Sequence, residues 1–109
     1  MTLKCCEVIR TECDIEQKHS FYMQLARILK EIESEYENVD LIADYEYRTQ
    51  MVVVNIFVAS NDYRTMRRTT TRIKTEIRRK TAPRKWKMTV RYTNYVRKGW
   101  RFQCIPWQS

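Results

Sequence analysis

The chain has 109 residues, which is enough for one small domain with a modest core and too few for two ordinary domains. Hydrophobic residues make up 43% and aromatic residues 12%, so the composition excludes a disordered tail, and no apolar run approaches the roughly 20 residues of a membrane span. The net charge of +8 at pH 7 favours an anionic partner.

The first two elements are predicted to be a strand and an amphipathic helix. Residues 3–11 form the strand, and Asp14 is the expected N-cap of the helix, with Gln17 three residues later as its capping-box partner. The helix covers residues 15–37, because apolar side chains recur there at helical spacing in one stripe of Phe21, Leu25, Ile28, Leu29, Ile32 and Tyr36.

Two strands are predicted next. Residues 39–48 alternate between apolar or aromatic and polar side chains, as in a strand with one face in water. A short turn leads into residues 51–59, the most apolar run of the chain. Its β-branched composition predicts a strand buried on both faces and central in its sheet. Asn55 interrupts this run, and we expect it to satisfy a neighbouring backbone group rather than to meet a partner.

A second helix is predicted over residues 62–80. Its N-cap lies among Ser60, Asn61 and Asp62, and Pro83 follows its end because proline cannot continue the helical hydrogen bonds. Its apolar stripe is thin and consists of Tyr63, Met66, Thr70, Ile73 and Ile77.

The C-terminal part is predicted to be a hairpin. Residues 86–93 alternate without interruption, as a strand does, and Trp86 and Tyr92 share its apolar face. Residues 94–99 form a loop that closes at Gly99, and residues 100–105 form the returning strand.

The resulting order is β-α-β-β-α-β-β, in one α+β domain that spans residues 1–109. We predict a two-layer sandwich of the ferredoxin-like type, with an antiparallel sheet, two helices on one face and an extra C-terminal strand. The order resembles that of the RNA-recognition motif and of other ferredoxin-like modules. The aromatic, glycine-containing signature of the RNA-recognition motif is missing from residues 51–58, so its base-stacking face does not carry over to this chain.

The cysteines are predicted to be buried free thiols. Disulfides and a metal site are the alternatives for Cys5, Cys6, Cys13 and Cys104. There is no C-x-x-C pair, His19 is the only histidine, and the N-terminus has no long apolar run of a signal peptide. We therefore expect a cytoplasmic protein without metal or other cofactor.

The charge is divided between the two halves of the chain. Residues 1–60 hold six lysines and arginines against eleven acidic residues, a balance of −5, whereas residues 61–109 hold fifteen against two, a balance of +13. Such a division predicts a molecule with one basic side.

The second helix carries most of the candidate binding residues. Six of its eight basic residues are arginines, and the planar guanidinium group of arginine can bind phosphate through two hydrogen bonds. The eight candidates are Arg64, Arg67, Arg68, Arg72, Lys74, Arg78, Arg79 and Lys80. The alternative is a solvated basic face, but an ordinary helix face mixes charges of both signs, as the first helix does. We therefore favour binding of a polyanion.

The basic residues continue beyond the second helix. Further candidates lie in the following loop, strand and hairpin: Arg84, Lys85, Lys87, Arg91, Arg97, Lys98 and Arg101. Trp86 and Tyr92 are expected in the core, whereas Tyr95 is a candidate for stacking on an unpaired base.

No catalytic motif is present, and the carboxylates Asp40, Asp44 and Glu46 fit the wet face of a strand better than a nuclease site. We predict a non-enzymatic protein that binds the phosphate backbone of RNA or DNA. The alternative is a phage or viral accessory protein, an inhibitor or assembly part acting in the host cytoplasm. Such a protein would bind an acidic protein partner, form a homodimer or head-to-tail oligomer, or bind a partner through an apolar sheet face. Neither hypothesis involves a membrane.

Overall fold

The computed structural model describes the backbone of residues 3–98 and 101–106 and the side chains of residues 4–88. Its elements are β1 (Leu3–Glu12), α1 (Ile15–Glu33), β2 (Val39–Glu46), β3 (Met51–Ser60), α2 (Tyr63–Lys80), β4 (Lys87–Lys98) and β5 (Arg101–Pro106). The predicted order of elements is confirmed.

The five strands form one antiparallel sheet in the order β2-β3-β1-β4-β5. The first four strands have the ferredoxin-like arrangement, and β5 extends the sheet beyond β4 as a hairpin. The predicted fold class is therefore confirmed, including the extra C-terminal strand and the internal position of β3.

The core lies between the helices and one face of the sheet. The predicted stripe of α1 is buried there from Phe21 to Ile32, and β3 contributes alternate side chains, from Val52 to Val58. Burial of each such aliphatic side chain contributes about 1.5–3 kcal/mol, so this face holds the two layers together.

The two helices begin differently. Asp62 caps α2 as expected, because its carboxylate accepts hydrogen bonds from the amides of Arg64 and Thr65. Asp14 occupies the N-cap position of α1, but its side chain makes no capping bond, so the predicted capping box is wrong.

Helix α1 also ends earlier than predicted. After Ser34 the amides of Glu35 and Tyr36 bond the carbonyls three residues back, those of Ile32 and Glu33. Ser34 Oγ donates to the carbonyl of Glu31 at 2.6 Å. This tightening ends the regular helix at Glu33 rather than at residue 37.

Strand β4 departs from the prediction in two ways. It runs to Lys98, so the stretch predicted as a loop at 94–99 is strand as far as that residue. Its pairing with β1 shifts register, because Val8 lies opposite Val90 and Ile9 opposite Met88. The expected uninterrupted alternation of this strand is therefore wrong at residue 89, where a bulge places two residues of β4 against one of β1.

Strand β2 is an outer strand, and side chains bind its outward backbone groups. Glu33 Oε1 accepts from the amide of Leu41 at 2.7 Å, and Asp44 Oδ1 accepts from the amide of Tyr45 at 2.8 Å. The hydroxyl of Tyr22 donates to the carbonyl of Ala43. Two of these bonds come from α1, so the helix that covers the sheet also satisfies its edge.

The sheet face opposite the helices is called here the open face. Its middle row crosses Ile42, Asn55 and Val8, which lie side by side on three strands. Cys6, Val53 and Phe57 on the same face are buried, and among the side chains of residues 4–88 only Ile42, 45% exposed, is a large exposed apolar group there. The described part of the open face therefore presents no large apolar patch.

Cys5, Cys6 and Cys13 are buried and are not bridged in disulfides, in line with the prediction, and Cys104 lies outside the described side chains. Within residues 4–88 no three His, Cys, Asp or Glu side chains gather closely enough to hold a metal ion. The helices of the described chain are all too short or too polar to cross a membrane.

Candidate nucleic-acid interface

Helix α2 turns one side to the core and the other to solvent. Met66, Thr70, Ile73 and Ile77 are buried at spacings of three and four residues. At 3.6 residues per turn, about 100° each, the six arginines of the helix fall on the opposite half of its circumference. All six are exposed, and we call them the arginine face: Arg64, Arg67, Arg68, Arg72, Arg78 and Arg79.

The arginine face is mostly free of carboxylates. Arg79 pairs with Glu76 at 3.0 Å. Among the side chains of residues 4–88, no carboxylate lies within the 4.0 Å limit of an ion pair with the other five arginines. Thr71 and Thr75, which lie between them, are exposed and uncharged. The arginine face therefore has a positive electrostatic potential that few carboxylates of the protein neutralise.

Arg67 contacts Tyr63, one helical turn before it. Its Nη1 donates to the hydroxyl of Tyr63 at 3.2 Å, and its guanidinium carbon lies 5.9 Å from the centre of that ring. The hydrogen bond to Tyr63, with the nearby charge of Glu7, raises the pKa of Arg67 above its ordinary value. Arg67 is thus a cation near the start of α2 that the hydroxyl of Tyr63 helps to orient.

The Asp62 carboxylate positions the start of the arginine face. It accepts from the amides of Arg64 and Thr65 at 3.3 and 3.2 Å and from Thr65 Oγ1 at 2.8 Å. The hydrogen bonds from Thr65, above all that of its side chain, lower the pKa of Asp62 below its ordinary value. The carboxylate of Asp62 therefore binds the amides at the start of α2 and forms no ion pair with the first arginines of the helix.

This pKa shift predicts a pH dependence of stability. The folded pKa of Asp62 is lower than the unfolded one, about 3.9, so its contribution is fully present above that value and is lost as pH falls through the folded pKa. We expect a carboxyl NMR titration of Asp62 to have its midpoint below about 3.9. Asp62→Asn keeps an acceptor at the cap but cannot titrate, so its stability should fall less as the pH is lowered below about 3.9. An identical loss in both proteins would contradict the assignment.

Lys74 does not belong to the exposed basic surface, and its prediction as a binding residue is corrected. Its Nζ lies 2.8 Å from Glu7 Oε2 on β1, and the two residues are only 9% and 2% exposed. Position 74 falls on the core side of the helix, four residues after Thr70 and three before Ile77. Lys74 therefore holds α2 to the sheet and is not available to a phosphate.

Lys80 is also engaged within the protein. Its Nζ lies 3.2 Å from a carboxylate oxygen of Glu31 on α1 and 3.8 Å from one of Glu76. Its side chain is half-buried, in contrast to the arginines. Lys80 thus joins the two helices, and its availability to a ligand is lower than predicted.

The next basic residues lie on another part of the molecule. Arg84 and Lys85 belong to the loop that passes around the end of the sheet, and Lys87 pairs in register with Arg10 on the open face. Strand partners point to the same side of a sheet, so Lys87 lies on the side opposite to α2. The single continuous basic surface expected from the sequence is therefore divided by the sheet.

The remaining candidates lie on β4 and β5, outside the described side chains: Arg91, Tyr95, Arg97, Lys98 and Arg101. The backbone places Arg91 of β4 opposite Glu7 of β1 in the strand register, and it places Tyr95 in a strand rather than in a loop. Their contacts with a ligand stay predictions.

The chain matches no protein-family model and no curated protein sequence. Solved structures give the fold alone. A protein described as "De novo designed protein Foldit4" matches with a TM-score of 0.53 and 22% identity over 89% of this chain and 100% of that one.

Two natural structures are more distant. The uncharacterized protein TM1266 of Thermotoga maritima has a TM-score of 0.46 and 9% identity over 82% of this chain and 96% of its own. Rv0793 of Mycobacterium tuberculosis has a TM-score of 0.47 and 7% identity over 79% and 92%.

Proposed function

We propose that this protein binds the phosphate backbone of a nucleic acid through the arginine face of α2. The observation that carries the proposal is an exposed row of six arginines, five of them without a carboxylate partner among the described side chains. Guanidinium groups bind phosphate oxygens in a bidentate way, and each contact releases counterions from the polyanion.

The dimensions of the arginine face suit a polymer rather than a single phosphate. Arg64 and Arg79 are fifteen residues apart, which at 1.5 Å per residue corresponds to about 22 Å along the helix axis. A row of that length meets several successive phosphates of a strand or the phosphates that border a groove. An isolated phosphate would use only one or two of the arginines.

The site supports binding of the backbone without reading of bases. Trp86, the only tryptophan with a described side chain, is buried in the core, and Tyr63 on α2 is half-buried and bound to Arg67. Among the described side chains, the arginine face therefore has no exposed aromatic ring on which a base could stack. We expect little preference for sequence and a steep dependence on salt.

The test is a titration of short RNA and DNA, single- and double-stranded, at several salt concentrations, with the wild type and with Arg68→Ala/Arg72→Ala. We expect the variant to bind at least about tenfold more weakly at low salt, because two charge-assisted contacts are lost. For duplex DNA its slope of log affinity against log salt should be shallower by about 1.8, since each phosphate contact contributes about 0.9.

The matched control is Arg27→Ala/Lys30→Ala, which removes two exposed positive charges from α1 at similar spacing. It changes the net charge equally but leaves the arginine face intact, so its salt slope should equal that of the wild type. Equal losses in both variants would indicate attraction by net charge alone and would refute the proposed site. Binding that is indifferent to salt would refute a phosphate-backbone mode altogether.

We expect this binding to take place in a reducing compartment such as the cytoplasm, where unbridged thiols persist. Docking of a protein partner on the open face gains no support from the described side chains, because the apolar residues Cys6, Val53 and Phe57 are buried there.

A further inference from the structure

A second basic site lies at the end of the sheet, on the side away from the arginine face. It is a groove of about 480 Å³ between the end of β1, the start of β4 and the loop that follows α2. Four cationic side chains line it, Arg10, Arg84, Lys85 and Lys87, and Met51 and Pro83 add an apolar wall. Its volume falls within the range of pockets that hold small ligands.

Arg84 is held in a fixed position in this groove. Its guanidinium carbon lies 3.8 Å from the centre of the Phe21 ring, and its Nη1 donates to the carbonyl of Glu12 at 2.6 Å. A guanidinium has five N–H donors, so most of them stay available after this bond. Because the side chain is already ordered, a ligand that binds it loses less conformational entropy than it would on a mobile arginine.

Arg10 is also oriented before any ligand binds. Its Nη2 lies 2.9 Å from Glu46 Oε1 on β2. Its Nε is buried and has no hydrogen-bond partner among the described residues. On the neighbouring strand Lys87 stands opposite Arg10 in register, and it is exposed. The pairing of β1 with β4 thus brings together two cations that are far apart in sequence.

The charges around the groove favour an anion. Glu12 is the one acidic residue of its lining, and Glu46 is paired with Arg10, so the four cations exceed the nearby carboxylates by two. Lys85 and Lys87 are exposed and, within the described part of the chain, have no ion pair. The apolar wall of Met51 and Pro83 offers a surface to a group attached to that anion.

We propose that this groove binds a phosphate monoester that carries a planar or apolar group, as a nucleotide does. The phosphate contacts Arg84, Lys85 and Lys87, and the attached group packs against Met51 and Pro83. This site is separate from the arginine face, because Lys87 and Arg10 lie on the open face of the sheet. Binding in the groove can therefore be tested independently of nucleic-acid binding by α2.

The test is a titration of isotope-labelled full-length protein with adenosine monophosphate and with inorganic phosphate, followed by amide NMR. We expect shifts at Thr11, Met51, Arg84 and Lys85, and tighter binding of the nucleotide than of inorganic phosphate. The variant Lys85→Gln/Lys87→Gln should bind the nucleotide about tenfold more weakly, because two charge-assisted contacts are removed. Both side chains are exposed, so this variant should keep the wild-type fold and unfolding midpoint.

Two controls separate this site from the rest of the molecule. Arg27→Gln/Lys30→Gln has the same net charge as the groove variant, and Arg68→Ala/Arg72→Ala disrupts the arginine face; both should bind the nucleotide within twofold of the wild type. Shifts confined to α2, an equal loss in the first control, or no shift in the groove at millimolar nucleotide would overturn the proposal. Equal affinity for nucleotide and inorganic phosphate would overturn the role of the apolar wall.

The source of the phosphate is distinguished by oligonucleotides with and without a terminal phosphate. If a strand end is the ligand, the phosphorylated oligonucleotide should bind more tightly and lose that advantage in the groove variant. If a free nucleotide is the ligand, the two oligonucleotides should bind equally, and adenosine monophosphate should occupy the groove without displacing them.

Discussion

Replacement of Lys74 by methionine is expected to lower the free energy of unfolding by about 3–5 kcal/mol. The ammonium group of Lys74 lies 2.8 Å from a carboxylate oxygen of Glu7, and the two residues are 9% and 2% exposed. Removal of the cation leaves the charge of Glu7 in the layer between α2 and the sheet, where water cannot solvate it well. Denaturant unfolding followed by circular dichroism would measure the loss.

Two comparisons test this interpretation. Glu7→Leu/Lys74→Met removes both charges and should recover much of the stability, because the cost arises from a buried carboxylate that has lost the ammonium group of Lys74. Lys80→Met removes a lysine of the same helix whose partner Glu31 is largely exposed, so it should cost less than about 1 kcal/mol. A loss at Lys74 no larger than that at Lys80 would contradict the buried pair.

Truncation of Trp86 to alanine is expected to cost about 3–5 kcal/mol of unfolding free energy. The residue is 9% exposed, and its indole Nε1 donates to Thr81 Oγ1 at 2.8 Å. Its ring meets that of Phe21 edge-on, with the centres 6.3 Å apart. The side chain thus joins the end of α2, the start of α1 and the segment before β4, and its loss opens a cavity at their junction. The free energy from denaturant unfolding is the readout.

Trp86→Phe is the conservative control. It keeps an aromatic ring beside Phe21 but removes the donor to Thr81, so we expect a smaller cost of about 1–2 kcal/mol. If Trp86 were instead an exposed ring that stacks on bases, the alanine variant would cost well under 1 kcal/mol, about the value typical of surface sites, and would weaken nucleic-acid binding.

Local periodicity was sufficient to predict the elements and the fold class. The stripe of α1 from Phe21 to Ile32 repeats at helical spacing over about three turns, and each of its members packs into the core. The run from Met51 to Ala59 is β-branched and apolar on both faces, which is typical of an internal strand, and β3 lies between β2 and β1. These signals depend on side-chain type and spacing alone.

The division of the basic residues required the tertiary structure. Position 74 shares the core side of α2 with Thr70 and Ile77, so helical spacing alone could have placed Lys74 there, but its partner Glu7 is on a distant strand. Arg10 was not predicted as a site residue, because it lies in the acidic half of the sequence. Only the register of β1 with β4 places it beside Lys87.

The ends of the elements also depended on contacts that spacing does not show. Asp14 and Asp62 have the same residue type before a helix, but only Asp62 caps, because its carboxylate reaches the amides of Arg64 and Thr65. Periodicity indicates where a helix lies; the hydrogen bonds at each terminus decide how it starts.

The bonds from Glu33, Tyr22 and Asp44 to the backbone of β2 limit how copies of this chain can associate. An incoming strand that extended the sheet at β2 would have to displace all three side chains and replace their hydrogen bonds. A continuous intermolecular sheet is therefore opposed on that side and would have to grow beyond β5, the other outer strand.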